Sequence, residues 1–277
     1  MNERIQIAVV VVTHNHRRTV QPTLASVAHQ TSPADAVAIV DCGSEDTEWM
    51  DDWSTMPGFH CVRLGTNAGF TGGCNEGWRV LNRNSGYVLF LNPDVILPEG
   101  LFSRLRRLLV ESRAESLGAL SPRLLGYDFE MGRASGGLDS TGVFPSRFGG
   151  WKDRRDGSLG PSDEIEIVPA LCGAFFLARV DALRDVALGH GRIWDDRYFA
   201  YKEDIELSLR LRRSGWKVGV WHGGEAYHGR GWKARELMSR AARLMSARNE
   251  LRLHATYMPW RLPFSLMKLS AVSLLDQ

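Results

Sequence analysis

Cysteine is scarce in this chain, and its spacing excludes more than its number does. Cys42, Cys61, Cys74 and Cys172 form no C-x-x-C pair and no zinc-ligand spacing. A zinc ribbon and a disulfide-stapled scaffold are excluded, and small buried thiols in a reducing cytosol are expected. Charge of one sign is also missing: 34 Lys and Arg face 32 Asp and Glu, a net of +2. That balance argues against a nucleic-acid binder held by bulk electrostatics. No segment reaches the ~18–20 apolar residues of a membrane-spanning helix. Met1 to Gln6 show no apolar h-region with a small-residue cleavage site, so export is not expected. Glycine is absent at one decisive place. The first apolar run leads into Thr13-His14-Asn15-His16 and not into G-x-G-x-x-G, which counts strongly against a dehydrogenase.

What is present is an alternation of buried-strand and helix patterns. Ile5 to Val12 is almost continuously apolar and β-branched, the pattern of a buried parallel strand. A helix follows, with Val20, Leu24 and Val27 on one face and Pro22 placed in its first turn. Val37–Val40 reads as a second strand, Asp46–Trp53 as a short helix and Cys61–Leu64 as a weaker strand. Gly72–Leu81 reads as a helix entered through glycines, and Tyr87–Leu91 as another buried strand. Leu101, Leu105, Leu108 and Leu109 then recur at helical spacing. The pattern predicts an α/β fold, one Rossmann-like, mostly parallel twisted sheet flanked by helices.

From Gly126 to Asp163 the composition shifts to Gly, Arg, Asp and Ser, with Phe144, Phe148 and Trp151 scattered through it. A stretch this long without a period predicts a functional loop or disorder. Regular structure resumes at Ile165–Leu171 and Gly173–Ala178. A helix over Glu203–Ser214 is stopped by Gly215, and a strand follows at Lys217–Trp221. An arginine-rich helix is expected from Lys233 to Ala255. The division this suggests is one compact domain over 1–232 and a helical appendage over 233–277.

Polar residues cluster just behind the strands, where open α/β sheets bind ligands. Asp41, Ser44 and Asp46 follow strand two and suit a ribose or base, or simply a turn and a helix cap. Asn67 to Asn75 is a glycine-rich turn that lets backbone approach an anionic group at a helix N-terminus. Asn92-Pro93-Asp94 puts a carboxylate beyond a buried strand, suited to a hard cation or to a plain turn. Glu203-Asp204 opens a helix behind Tyr198, Phe199 and Tyr201, as a general base would, and also complements the helix dipole. His228 is a candidate metal ligand, with His222 as its competitor.

In their order along residues 8–231, these motifs resemble glycosyltransferase family 2, inverting enzymes of GT-A fold, and in particular its rhamnosyltransferase-like branch. The resemblance implies that Thr13, Asn15, Asp41, Ser44 and Asp46 hold the nucleotide. Asn67, Gly69, Gly72, Asn75 and Asn92 would belong to the same nucleotide-sugar site, within residues 1–125. Trp151, Cys172, Gly173 and Ala174 would lie on the acceptor side, within 126–232. Asp94 looks like the last acid of the family's D-x-D motif, and His228 like the second protein ligand of a divalent metal, Mn²⁺ or Mg²⁺. Asp204 looks like the general base, with Glu203 in support. The chain departs from the pattern at Asn92, where a neutral amide replaces the first acid and binds metal more weakly.

The implied reaction is a single displacement from a nucleoside-diphosphate sugar to a hydroxyl of a glycan, lipid-linked or small-molecule acceptor. By the same resemblance dTDP-rhamnose is favoured as donor, with a UDP-hexose as the other choice. A nucleotidylyltransferase is the rival enzyme class, and it would usually carry a basic glycine-rich loop directly after strand one. A non-catalytic nucleotide-sugar binder is the third reading, but it has no use for an acid at 204 together with a metal pair at 94 and 228.

From Arg230 onward nine Lys and Arg face three acids, which leaves −4 for residues 1–229. Arg235, Arg240, Arg243, Arg248 and Arg252 alternate with Leu237, Leu244, Met245 and Leu251, and an apolar tail, Phe264–Val272, follows. Two placements are open: packing on the catalytic domain, or docking on an anionic membrane surface. The expected location is cytoplasmic, or peripheral on the inner face of the plasma membrane.

Overall fold

Every residue of β1 (Ile7–Thr13) is buried, and its alternate side chains enter two different cores. Val9 and Val11 face one core, while Ala8, Val10 and Val12 face the other. Such a strand must lie mid-sheet with both faces covered. The computed structural model describes residues 4–111, 116–147, 149–155, 164–229 and 238–275.

Beyond β1 come α1 (Arg17–Ala28), β2 (Ala36–Asp41), α2 (Met50–Ser54), β3 (Phe59–Arg63), α3 (Gly69–Leu81) and β4 (Tyr87–Leu91). Then follow β5 (Val95–Ile96), α4 (Leu101–Glu111), β6 (Leu117–Asp128), β7 (Arg133–Ser140), β8 (Val143–Pro145) and β9 (Trp151–Asp153). The chain continues through β10 (Ile165–Ile167), β11 (Phe175–Arg179), α5 (Val180–Asp185), α6 (Glu203–Arg213) and β12 (Lys217–His228). It ends on α7 (Arg240–Tyr257) and α8 (Leu262–Leu275).

The main sheet runs β10-β12-β6-β11-β4-β1-β2-β3. β3, β2, β1 and β4 are mutually parallel. β11 is antiparallel to both β4 and β6, so β6 points the same way as β4, and β12 runs parallel to β6. Six strands therefore share one direction, as the alternating pattern predicts. Leu101, Phe102, Leu105 and Leu109 of α4 join α1 in one core. α3, α5 and α6 contribute to the opposite core. Gly73 and Gly77 let α3 press on β1: a Cβ at either would lie 2.5 or 2.4 Å from Val12 or Val10.

Several local expectations are corrected. Gly126–Asp163 is not an aperiodic loop where it is described. β6 continues to Asp128, β7 pairs back on it, and β8 and β9 form a small two-stranded sheet. β7 reads Arg-Ala-Ser-Gly-Gly-Leu-Asp-Ser, exposed over its first half, and register shifts break its pairing. Cross-strand partners hold it, and local pattern carries no trace of them. Phe148 and 156–163 lie outside the described residues. β12 runs past Trp221 to His228, because a bulge between Trp221 and Glu225 interrupts its alternation. His228 is thus the last residue of the strand. Pro22 falls in the second turn of α1, on its exposed side, and α2 starts at Met50 rather than Asp46. The arginine helix spans Arg240–Tyr257 and the apolar tail is helical; Arg230, Gly231, Lys233, Arg235 and Leu237 lie outside the described residues.

Candidate active site

The ends of β1 and β2 build one polar corner. Thr13 and Asp41 are register partners, both buried, and the Thr13 hydroxyl has no hydrogen-bond partner among the described residues. Asp41 Oδ2 accepts the Ser44 N–H at 2.9 Å, and the Ser44 hydroxyl also bonds the Asp41 carboxylate. Asn15, at φ +58°, donates its N–H to Ser44 Oγ at 2.7 Å and accepts from the Glu45 N–H at 3.0 Å. Thr13, Asn15, Asp41 and Ser44 are therefore brought together. Asp46 is drawn aside into an ion pair with Arg17.

The glycine turn closes the next side. Asn67 Oδ1 accepts the Gly69 N–H at 2.9 Å, and Gly72 lies one turn further into α3. Gly69 has φ +72°, and a Cβ there would meet Phe199 at 2.6 Å. Asn75 faces elsewhere. Its amide makes all four of its bonds to the 193–196 segment, through Ile193 N, Trp194 N, Trp194 O and Asp196. Asn75 thus anchors that segment to α3 and has no donor or acceptor left over for a ligand.

Asp94 and His228 meet across the β5–β12 pairing, with His228 Nε2 3.5 Å from Asp94 Oδ1. The other ring nitrogen, Nδ1, lies 2.7 Å from Asp139 Oδ2, a carboxylate 1% exposed on β7. Burial alone would lower the His228 pKa, but Asp94 and Asp139 outweigh it and hold it at about 9. Pinned through Nδ1, the imidazole presents Nε2 toward Asp94, and a divalent cation that displaces the Nε2 proton would meet a suitable pair there, a carboxylate and a neutral imidazole. Among the described residues no group of three or more His, Cys, Asp and Glu could hold a metal. His222 is engaged elsewhere, 2.9 Å from Glu166.

Asp204 and Glu203 open α6, and their environments differ. Asp204 Oδ2 accepts the Gly173 N–H at 2.8 Å, and Oδ1 accepts the Ile205 N–H at 2.8 Å. Burial pushes its pKa up, while those N–H groups and the Lys202 ammonium pull it back. Glu203 is buried beside Cys74 with Oε2 unpartnered among the described residues. Burial, and then the neighbouring Asp204 charge, raise its pKa to about 8. Burial and the Asp204 charge favour the neutral form of Glu203, while Asp204 keeps two N–H donors and the Lys202 ammonium, which favour its charged form.

Cys172-Gly173-Ala174 joins these parts. Gly173 N–H holds Asp204, and Ala174 O accepts the Asn92 N–H at 3.0 Å. Cys172 is buried, and so is Trp151, which at 4% exposure stands in the core rather than on an open surface. The exposed aromatics beside the site are Phe199 (36%) and Tyr201 (42%). These two and Lys202 all take positive φ, at 58°, 70° and 74°, a conformation costing about 1–3 kcal/mol per non-glycine residue. Sequence reasoning missed Asp139, because it sits in the stretch without a period, and Lys202, because it reads as a surface charge.

Solved structures with a similar fold are glycosyltransferases. GalNAc-T7 with UDP, GalNAc and Mn²⁺ superposes with a TM-score of 0.67 at 17% identity, over 92% of this chain and 48% of that one. This chain therefore spans about half of GalNAc-T7. The mannosyltransferase PcManGT from Pyrobaculum calidifontis, with GDP-Man and Mn²⁺, gives 0.61 at 15% identity, over 98% and 76%. The architecture is the GT-A fold. Residues 8–187 match the model of Glycosyl transferase family 2, and the chain belongs to that family: it is a glycosyltransferase. N-acetylglucosaminyl-diphospho-decaprenol L-rhamnosyltransferase of Mycobacterium tuberculosis is 28% identical over 228 residues, which cover 76% of this chain and 71% of that protein.

Proposed function

We propose that this glycosyltransferase transfers a deoxyhexose, L-rhamnose from dTDP-rhamnose, to a hydroxyl of a lipid-linked acceptor with inversion at the anomeric carbon. The observation that carries the mechanism is the Cys172–Ala174 bridge. It sets the Asp204 carboxylate and the Asn92–Asp94 turn on one short piece of backbone. The choice of sugar and acceptor rests on the mycobacterial relative, whose name specifies both. A UDP-hexose is the competing donor.

In this reading Thr13, Asn15, Asp41 and Ser44 hold the nucleoside, and Asn67, Gly69 and Gly72 let the α3 N-terminus approach the diphosphate. Asp94 and His228 would hold a divalent cation, with Asp139 fixing the imidazole; when bound, that ion supplies positive charge to the departing diphosphate. Asp204 accepts the acceptor hydroxyl proton as its oxygen bonds to the anomeric carbon and the bond to the diphosphate oxygen breaks. The enzyme forms no covalent bond, so a single displacement inverts the centre. Phe199 and Tyr201 offer aromatic surface to the acceptor.

Residues 1–232 act in this reading as the catalytic unit and 233–277 as the segment that meets the membrane from the cytoplasmic side. α8 supports this. It buries Ser265 and leaves Trp260 just before it, Phe264, Met267 and Leu274 exposed, at 70%, 43%, 70% and 68%. An apolar helix with such a face beside the arginines of α7 suits an anionic interface. Among the described residues no helix is long and apolar enough to cross a membrane.

The test is donor turnover. Purified protein is incubated with dTDP-rhamnose or UDP-glucose, Mn²⁺ and a short-chain N-acetylglucosaminyl-diphospho-prenol, and the released nucleoside diphosphate and the product anomer are measured. Preference for dTDP-rhamnose with inverted product supports the reading. Turnover of UDP-glucose alone replaces the donor, and retained configuration removes the mechanism.

A further inference from the structure

α7 reaches into the active-site loop through one buried amide. Asn249 is 2% exposed, and its Nδ2 lies 2.7, 2.9 and 2.9 Å from the carbonyl oxygens of Tyr198, Ala200 and Tyr201. Its Oδ1 accepts from Arg252 Nη1 at 2.9 Å, and the same nitrogen of Arg252 also donates to Arg197 O at 2.7 Å. The amide orientation is forced by chemistry, since three carbonyl oxygens need a donor and the arginine needs an acceptor. The pinned carbonyls lie in and around the positive-φ residues Phe199, Tyr201 and Lys202, which lead directly into Glu203 and Asp204. The loop serves the other half of the site too, because Phe199 O accepts the Thr71 N–H from the first turn of α3 at 3.1 Å.

The Asn249 amide is a side-chain anchor reaching in from outside the loop, where three of four neighbouring non-glycine residues, Phe199, Tyr201 and Lys202, keep positive φ. Such conformations persist only where the surroundings over-determine them. We infer that Asn249 is a positioning residue of the transfer reaction: it clamps the Tyr198–Lys202 loop from α7 and so sets where the Asp204 carboxylate stands. The inference deepens the proposed function and rests on Asp204 as its base. It makes the α7 segment part of the catalytic apparatus, whatever α8 does at a surface.

The test uses the full chain with Asn249→Ala, Arg252→Ala and Leu253→Ala. Leu253 is fully buried on α7 and has no polar side-chain group to bond the loop carbonyls, so it controls for loss of helix packing. Asn249→Ala should lower kcat at least tenfold and leave the donor KM within twofold. Arg252→Ala, which frees the amide to turn, should lower kcat in the same direction by less. Leu253→Ala should lower the melting temperature and keep kcat when assayed well below it. Combined with Asp204→Asn, Asn249→Ala should add no further loss, because it acts through that carboxylate.

Hydrogen exchange provides a readout that needs no turnover. The amides of 199–205 should lose at least tenfold protection in Asn249→Ala and in Arg252→Ala, but not in Leu253→Ala. Wild-type protection of that loop in Asn249→Ala, or additive losses in the double variant, overturns the clamp. Wild-type turnover of Asp204→Asn removes the base assignment instead, and the exchange result still decides whether the clamp exists.

Discussion

Gly173 donates its N–H to Asp204 Oδ2 at 2.8 Å, and the fit is close: a Cβ at 173 would stand 3.1 Å from the Asp204 Cβ, so the aspartate would have to give by a few tenths of an ångström. The glycine favours that close approach through its missing Cβ, with no unusual backbone angle involved. Gly173→Ala should push the carboxylate off its position while leaving the core intact. A misplacement of about 1 Å can cost ~10²-fold in rate. A kcat lowered about 10- to 100-fold, with an unchanged donor KM, is expected from steady-state kinetics, and an unchanged kcat would show that the Asp204 position is not critical.

Asp204→Asn keeps the size of the side chain and removes its ability to take a proton. General-base catalysis contributes typically ~10²–10⁴-fold, so transfer should fall by that amount while nucleoside-diphosphate affinity persists. Glu203→Gln should retain far more activity, since burial and the Asp204 charge already favour the neutral form of Glu203. The opposite ranking of the two variants would exchange their roles.

Asp139 grips the imidazole from behind, and outer partners of this kind typically change metal affinity by ~10–100-fold when removed. Asp139→Asn should weaken Mn²⁺ binding in that range, read by titration in the presence of nucleoside diphosphate. His228→Ala and Asp94→Ala should do so more strongly. Full activity of Asp94→Ala in excess EDTA would end the metal hypothesis.

Glu203 makes stability depend on pH. Its folded pKa of about 8 lies above the ordinary value of a free glutamate, ~4.3. Between the two values the folded state holds a proton that the unfolded chain has released, so stability falls as pH rises through this window. Glu203→Gln lacks that loss. Its melting temperature relative to wild type should therefore rise from pH 5 to pH 8, as measured by thermal scans at constant ionic strength. A constant difference across the window refutes the raised pKa.

Trp260 and Met267 are each 70% exposed, so Trp260→Glu with Met267→Glu should cost little stability. Wild type should co-sediment with phosphatidylglycerol vesicles at low salt, and the double variant should stay in the supernatant. Equal recovery of both with the vesicles removes the α8 face as the docking surface.

The parallel half of the sheet was legible because its strands are buried on both faces. Ile7–Val12 and Tyr87–Leu91 carry unbroken apolar runs, the pattern of a strand covered on both faces. The motif residues at the strand ends were legible for a related reason: Thr13, Asp41 and Asp94 follow directly from where those runs stop. β7 was not legible, since its stability comes from pairing with β6 and its own residues carry no alternation.

What the sequence by itself determined is therefore the local part: which segments bury two faces, which bury one, and which polar groups the chain delivers at their ends. The tertiary structure alone decided what those groups face. It set Asp139 against His228 from 89 residues away, turned Asn75 onto the 193–196 segment, and brought Asn249 under the loop before Asp204. These are single polar contacts between residues distant in the chain. Each is directional and worth only about 1–3 kcal/mol, too local in space and too remote in sequence to leave a periodic pattern.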